Sequence, residues 1–506
     1  MKLGRRDALR IGAAAGATAA AGLTGCSVIT RRLTKVGPPA SVELPRLDVA
    51  PIARLLNRAA FGPQPGQAAE VAAIGVERWL DRQLNPTDED SPVVALRLSS
   101  LEALQIHAAE LEDLPQHEVL RQLQQAAILR AVYSRWQLRE RMVDLWSNHF
   151  NIYARKGNGS YFKPVDDLRV IRTHALDTFP ALLRASAHSP AMLMYLDNQV
   201  NRRKDAKGAG ANENYARELM ELHTLGVHGG YTQKDVQEVA RCLTGWTVED
   251  RYLHARGTFR FDPMLHDSGA KTVLGVRIAP TSDPAREVLY NGVRMAAGQV
   301  DGERVLDILA THPRTAKFVA HKVARYFLGD GAPAWEPRLA AIYTKTGGDI
   351  REMIRPLLLS EELRSGPPIL KRPFDFLVSA LRVTNADTDA NQPVQTHLAQ
   401  MGQPLYQWPM PDGYPDKTAA WTGSLLARWN FALALMAAGV PGTTVDLPSL
   451  KVTDAANTAN HELIELIHAT KADRANPLLG RLDSLPRLAV NERAALLLAA
   501  PEFQWR

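Results

Sequence analysis

Residues 212–226, NENYARELMELHTLG, and residues 231–246, YTQKDVQEVARCLTGW, decide the fold class of this 506-residue chain. Tyr215, Leu219 and Leu222 in the first stretch recur at three-and-four spacing, as do Val236, Val239 and Leu243 in the second. That is the period of an amphipathic helix and not the alternation of a half-buried strand. Thr232 and Asp235 have capping-box spacing, and Gly226 stands where a left-handed residue ends a helix at little cost to glycine. The same period recurs at 66–84, 117–149, 165–187, 300–328, 349–363, 372–384, 422–438 and 459–469, with Asp349 and Glu352 opening one run and Gly329 closing another. Only 252–261 and 271–278 read as extended, through alternation such as GTFRF at 257–261. The sequence predicts a mainly α fold: a large, bundle-like helical body with a small extended or hairpin insertion near residues 252–278.

Ahead of that body, residues 1–26 follow the order of an export signal. Lys2, Arg5, Arg6 and Arg10 form a basic start, an Ala- and Gly-rich apolar run extends from Ile11 to Gly22, and Leu23-Thr24-Gly25-Cys26 closes it. The paired Arg5 and Arg6 point to the twin-arginine route. The closing motif resembles a bacterial lipobox, in which the cysteine is acylated and becomes the first residue of the mature chain. The apolar run is about a dozen residues, short of the ~20 that a spanning helix needs. The expected organisation is a twin-arginine-type lipoprotein signal at 1–26, a tether at 27–50, and a single large helical domain at 51–506, open to subdivision, with a Pro/aromatic loop at 391–421. The expected localisation is the cell envelope, with the chain held to the lipid membrane through acylated Cys26 and facing the periplasm or the cell surface.

Loss of the signal removes Lys2, Arg5, Arg6, Arg10 and Asp7, which takes the formal net charge from +6 to +3. Lys and Arg are interleaved with Asp and Glu, without the concentrated basic stripe of a nucleic-acid binder, so no nucleic-acid partner is expected. With Cys26 acylated, Cys242 has no cysteine left to pair with and reads as a buried thiol with a packing role.

Other blocks accompany the two helical runs: LLNRAAFG at 55–62, DLWSNHF at 144–150, His266-Asp267 ahead of Lys271, and MGQPLY at 401–406 with PDGYP at 411–415. Together they resemble the signature of a bacterial family known as domain of unknown function 1800, from about residue 51 to the C-terminus. The resemblance implies membership and no particular chemistry. Relatives often carry a histidine three positions before the one at His149, where this chain has Trp146. A two-histidine site drawn from that pairing is therefore incomplete here.

The chemistry is read from the residues themselves. No Cys-x-x-Cys, His-Glu-x-x-His, Gly-x-Ser-x-Gly or phosphate-binding glycine loop occurs, which argues against the common zinc-protease, hydrolase-triad and nucleotide-binding classes. On an ideal wheel Asn214, Glu218 and Glu221 fall within about 60° of one another at the margin of the apolar stripe. Two carboxylates so placed can form an acid/base pair or bind a cation. Arg217, four residues from both Glu213 and Glu221, offers the plainer alternative of surface ion pairs. His149 closes a long helix, where an imidazole can act as general base, ligate a metal, or simply cap free carbonyls. His223 lies about 140° from Glu218 on the same wheel and joins it only if the helix distorts. His266-Asp267 reads as a loop beside a helical scaffold. The Pro/aromatic loop brings Tyr406, Trp408, Asp412, Tyr414 and Trp421 near Arg428, with flat faces suited to stacking on a sugar ring or another organic ligand. The alternative for that loop is a lid packed on its own helices, with Asp412 or Asp416 paired to Arg428.

Two functions are compatible with these residues. The first is an exported, lipid-anchored, metal-assisted enzyme. Its catalytic candidates are His149, Glu218, His223, His266 and Asp267, and His149, Glu218, His223 and His266 would ligate a divalent transition metal. In that reading His149 and Glu218 share one site, and Asn214, Glu221, Tyr406, Trp408, Asp412, Tyr414 and Arg428 bind the ligand. The second is a non-catalytic envelope lipoprotein that binds another exported protein or a surface polymer. The anchor common to both is directly testable. Cys26→Ser is expected to move the protein from the membrane to the soluble fraction or leave it unprocessed, and Arg5→Lys with Arg6→Lys is expected to block export. An unchanged membrane fraction for the cysteine variant contradicts the lipoprotein reading.

Overall fold

The computed structural model describes residues 51–506 apart from segments at 88–89, 106–109, 205–209, 251–256, 451, 453–455, 469–475 and 486–487. Arg5, Arg6, Cys26 and the tether lie outside the described residues. The body is mainly α, and each predicted helical run contains helix, cut shorter wherever a residue refuses the helical backbone. Pro313 pushes His312 into an extended conformation, so the 300–328 run becomes Val300–Thr311 and Pro313–Leu328. Gly75, at φ 88°, divides Gln67–Ile74 from Val76–Leu84. The 117–149 run is Gln116–Tyr133 followed by Gln137–His149, with Ser134 extended between them. Thr232 and Asp235 close the expected capping box, and Gly226 and Gly329 end their helices at positive φ.

The run at 212–226 departs most from an ideal helix. It is α-helical only over Asn214–Glu218 and continues as a π-helical turn over Leu219–Thr224. A π turn takes in more residues than an α turn, so side chains beyond it fall out of the ideal register. His223 is consequently buried, while Leu222, expected on the apolar face, is only half-buried.

The extended insertion is larger than expected and differently paired. Phe259–Phe261 pairs antiparallel with Trp246–Val248, and Lys271–Val273 forms the predicted hairpin with Val276–Ile278. A further hairpin, Glu287–Tyr290 with Val293–Ala296, was not legible because its strands are largely exposed and carry no clean apolar alternation. The part of the predicted strand at 251–256 lies outside the described residues.

Two apolar cores organise the body. One gathers helices between residues 55 and 363, and the other joins the Gln116–Tyr133 helix to those after residue 374. A buried charge network lies along the seam. Asp375, 2% exposed, accepts from Arg141 and from the backbone NH of Arg372, while Arg372 also pairs with Asp144. Arg506 lies 3.8 Å from Asp375 and is brought there by backbone pairing of its own residue with Ile369. Tyr326 donates to Asp144 at 2.7 Å, and Arg141, Arg372 and Arg506 all lie over its ring at 4.7, 5.5 and 5.3 Å. Burial alone would raise the Asp375 pKa, but Arg141 and Arg372 override it and hold the carboxyl below its ordinary value. Removing that charge strands buried guanidiniums, so Asp375→Asn is expected to cost about 3–5 kcal/mol in urea unfolding. Asp387→Asn, which breaks the exposed pair with Arg97, should cost under about 1 kcal/mol. Equal effects would contradict the central role of the buried network.

Candidate functional site

The seam opens into a cavity of about 280 Å³. Its floor is the end of the Gln137–His149 helix, through Leu145, Asn148 and His149; one wall is the Pro313–Leu328 helix, through Lys322, Arg325 and Tyr326. The Pro/aromatic loop supplies a second wall, through Trp408, Asp412, Gly413, Tyr414 and Trp421, and Ile369, Leu370, Arg372 and Arg506 also line it.

Side chains of the first core clamp that loop. Asn148 accepts from the Tyr414 NH at 2.7 Å and donates to the Tyr414 carbonyl at 3.0 Å, a two-point grip. Asn151 donates to the Trp408 and Met410 carbonyls, and the Tyr195 hydroxyl to the Pro409 carbonyl. Gly413, at φ 75°, lies so close that an added Cβ would meet the Asn148 carbonyl oxygen at 2.2 Å, so no other residue fits without moving the loop. Tyr414 and Trp421 are largely buried against each other and against Leu370, as the lid alternative anticipates. Trp408 is half-buried, donates from Nε1 to Asp412 at 2.9 Å, and gives the cavity its accessible aromatic face.

The charges divide by depth. Asp416 and Asp330 are exposed and share Arg325 at 2.9 and 3.3 Å. Lys322 makes no hydrogen bond or ion pair among the described residues, and its ammonium lies 5.5 Å from the Phe318 ring centre. Burial lowers the Lys322 pKa, with Asp416 and Asp412 opposing the shift.

His149 and His223 meet, with ring centres 6.1 Å apart, inside a cage that includes Phe150 and Phe179. His149 Nε2 lies 3.1 Å from the His223 carbonyl, which makes it the protonated nitrogen. His149 Nδ1 and both His223 ring nitrogens are buried without a hydrogen-bond partner. Trp146, where relatives carry histidine, is buried and donates to the Ala175 carbonyl.

The other predicted residues separate from this pair. Glu218 forms no hydrogen bond or ion pair among the described residues; burial, then Glu221 and Asp412, raise its pKa. Glu221 accepts from Tyr231, and Asn214 donates to Asp197, while Arg217 pairs with Glu213 and not with Glu221. His266 is buried in a separate cluster with Thr244, Lys271 and Asp301, its Nε2 3.3 Å from Asp301. Asp267 is held by Arg241, and Cys242 is buried, its thiol pushed up by desolvation. Tyr406 does not line the seam cavity: its hydroxyl reaches Asp167 at 3.3 Å beside a space of about 60 Å³. Arg428 is fully buried on Ser424, Gln504 and the Lys371 carbonyl, so neither Asp412 nor Asp416 pairs with it. Among the described residues no three His, Cys, Asp or Glu side chains converge to hold a metal ion. Lys322, Arg372, Arg506 and Tyr326 escaped sequence reading because a lone polar side chain looks solvated until tertiary contacts place it. A larger cavity, of about 500 Å³, is lined mainly by glutamines and leucines together with His117, Arg121 and Arg155, with no Trp, Tyr or Phe.

Fold and site together define a large helical protein with a preformed, aromatic-walled cavity at the joint of two cores. Comparison with protein families matches residues 54–505 to the family described as "Protein of unknown function (DUF1800)", and the chain belongs to it. Comparison with curated proteins returns no match, and neither does comparison with solved structures.

Burial lowers the His223 pKa to about 3, and lowers that of His149 with a second contribution from Lys322. In the unfolded chain both titrate near 6.5. The unfolded state therefore binds protons first, and stability present above that value is lost as pH falls toward 3. His223→Leu is expected to flatten the dependence of unfolding free energy on pH between about 6 and 4 by up to ~1.4 kcal/mol per pH unit. A slope unchanged from wild type would contradict this.

Proposed function

We propose that the chain is an exported, lipid-anchored envelope protein that uses the seam cavity to hold one ring of a surface polymer. The observation that carries this reading is the loop clamp. Asn148, Asn151 and Tyr195 fix the backbone around Trp408, so the aromatic face is in place before any ligand arrives and little ordering cost remains. A cavity of about 280 Å³ is at the lower end of ligand sites and has room for one ring with its substituents. Binding is favoured over metal-assisted catalysis by the company the histidines keep. His149 and His223 have each other, aromatic rings and the Lys322 charge as neighbours, and divalent metals prefer imidazoles supplemented by carboxylates or thiolates.

Tryptophan fluorescence titrated with purified fragments of the source organism's envelope polysaccharide tests the reading. Wild type is expected to saturate, and Trp408→Ala to bind at least about tenfold more weakly, the loss of one stacking face. Gly413→Ala, which forces the loop off Asn148, should weaken binding similarly while unfolding stays cooperative. Wild-type affinity in both variants would contradict the assignment of the cavity.

A further inference from the structure

Resting on that reading, we infer that the ring held in the seam cavity bears a carboxylate, which meets the ammonium of Lys322 while the ring lies against Trp408. Three observations point to an acidic substituent and to this place for it. Lys322, half-buried, lines the cavity with no hydrogen bond or ion pair among the described residues, which leaves its ammonium available to a ligand there. Beneath the cavity, the seam network sets three guanidiniums, of Arg141, Arg372 and Arg506, against two carboxylates, of Asp144 and Asp375. With buried Lys371 and Arg428 also acting on Asp375, positive charge is in excess in a buried setting, where it acts over longer distances than at the surface. Arg506, 6% exposed, also has Nε and Nη1 without a hydrogen-bond acceptor. Those two atoms are shielded from the cavity, so Arg506 contributes field and Lys322 contributes contact.

The acids of the rim decide between a carboxylate and a phosphate. Asp412 and Asp416 both act on Lys322 through space, and Asp412 is anchored beside the ring face by Trp408 Nε1. Both anions meet repulsion from these aspartates, but a carboxylate brings one charge for Lys322 and the buried guanidiniums to offset, whereas a phosphate carries ≈ −1.5 to −2 at neutral pH and is repelled more strongly. The substrate class is thus a uronic-acid-type pyranose, with its ring on the indole and its acid group toward the Pro313–Leu328 helix.

Calorimetric titration of the full-length protein with D-galacturonate, D-galactose and D-galactose 6-phosphate tests the inference. Galacturonate should bind at least about tenfold more tightly than galactose and more tightly than the phosphate, with an affinity that falls as salt rises. Lys322→Met should erase the preference of galacturonate over galactose, and Lys322→Arg should keep it, which guards against a fold defect in the first variant. Equal binding of galacturonate and galactose by wild type overturns the acidic assignment and leaves the ring-binding reading standing. Tighter binding of the phosphate overturns the choice of carboxylate. No binding of any of the three overturns both.

Discussion

A single buried carboxylate, Asp375, holds the seam of this protein together. It pairs with Arg141 from the Gln137–His149 helix and caps the start of its own Pro373–Val383 helix through Arg372, and Arg506 comes close to it as well. Charges this deep are costly to desolvate and are tolerated when carboxylate and guanidinium lie together, so the contact fixes which faces of the two cores can meet. Arg372 then pairs with Asp144, and Tyr326 bonds Asp144 while sitting under three guanidiniums. Every one of these groups except Asp375, Arg141 and Asp144 also lines the cavity. The network that joins the cores therefore also shapes and charges the site.

The same logic explains why the Pro/aromatic loop is a wall and not a mobile flap. Its backbone polar groups are spent on Asn148, Asn151 and Tyr195, and Gly413 lies against the Asn148 backbone. Asp144, Asn148 and His149 leave one helix end in three directions: to the charge network, to the loop, and to the aromatic cage around His223. One turn of helix thus couples stability, site shape and the buried imidazoles.

Much of this was legible in the sequence, and the physical reason differs for each part that was not. Three-and-four periodicity, the Thr232 capping box and the Gly226 and Gly329 stops located the helices, because these are local effects written in local residues. The breaks at His312 and Ser134 were hidden inside unbroken apolar patterns. The aromatic loop was read either as a ligand-facing element or as a lid packed on its own helices; Tyr414 and Trp421 are buried, and Trp408, Asp412 and Tyr414 line a cavity together with His149. His266 belongs with Lys271 and Asp301, which no spacing rule reveals, and Glu218 makes no bond to His149 among the described residues, while the π turn at Leu219–Thr224, which an ideal wheel cannot anticipate, carries His223 beside His149. Lys322 carries no local signature, since what singles it out is the absence of a hydrogen-bond or ion-pair partner among the described residues, and Arg506 reaches Asp375 and the Tyr326 carbonyl only through the tertiary fold.

The most direct test is a crystal structure of the protein with bound D-galacturonate. The account predicts the sugar at the seam, its ring against Trp408, its carboxylate within ~3.2 Å of the Lys322 ammonium, and the Asn148 grip on Tyr414 unchanged. A sugar lodged in another cavity, or one admitted only after the loop has swung away from Asn148, would contradict it.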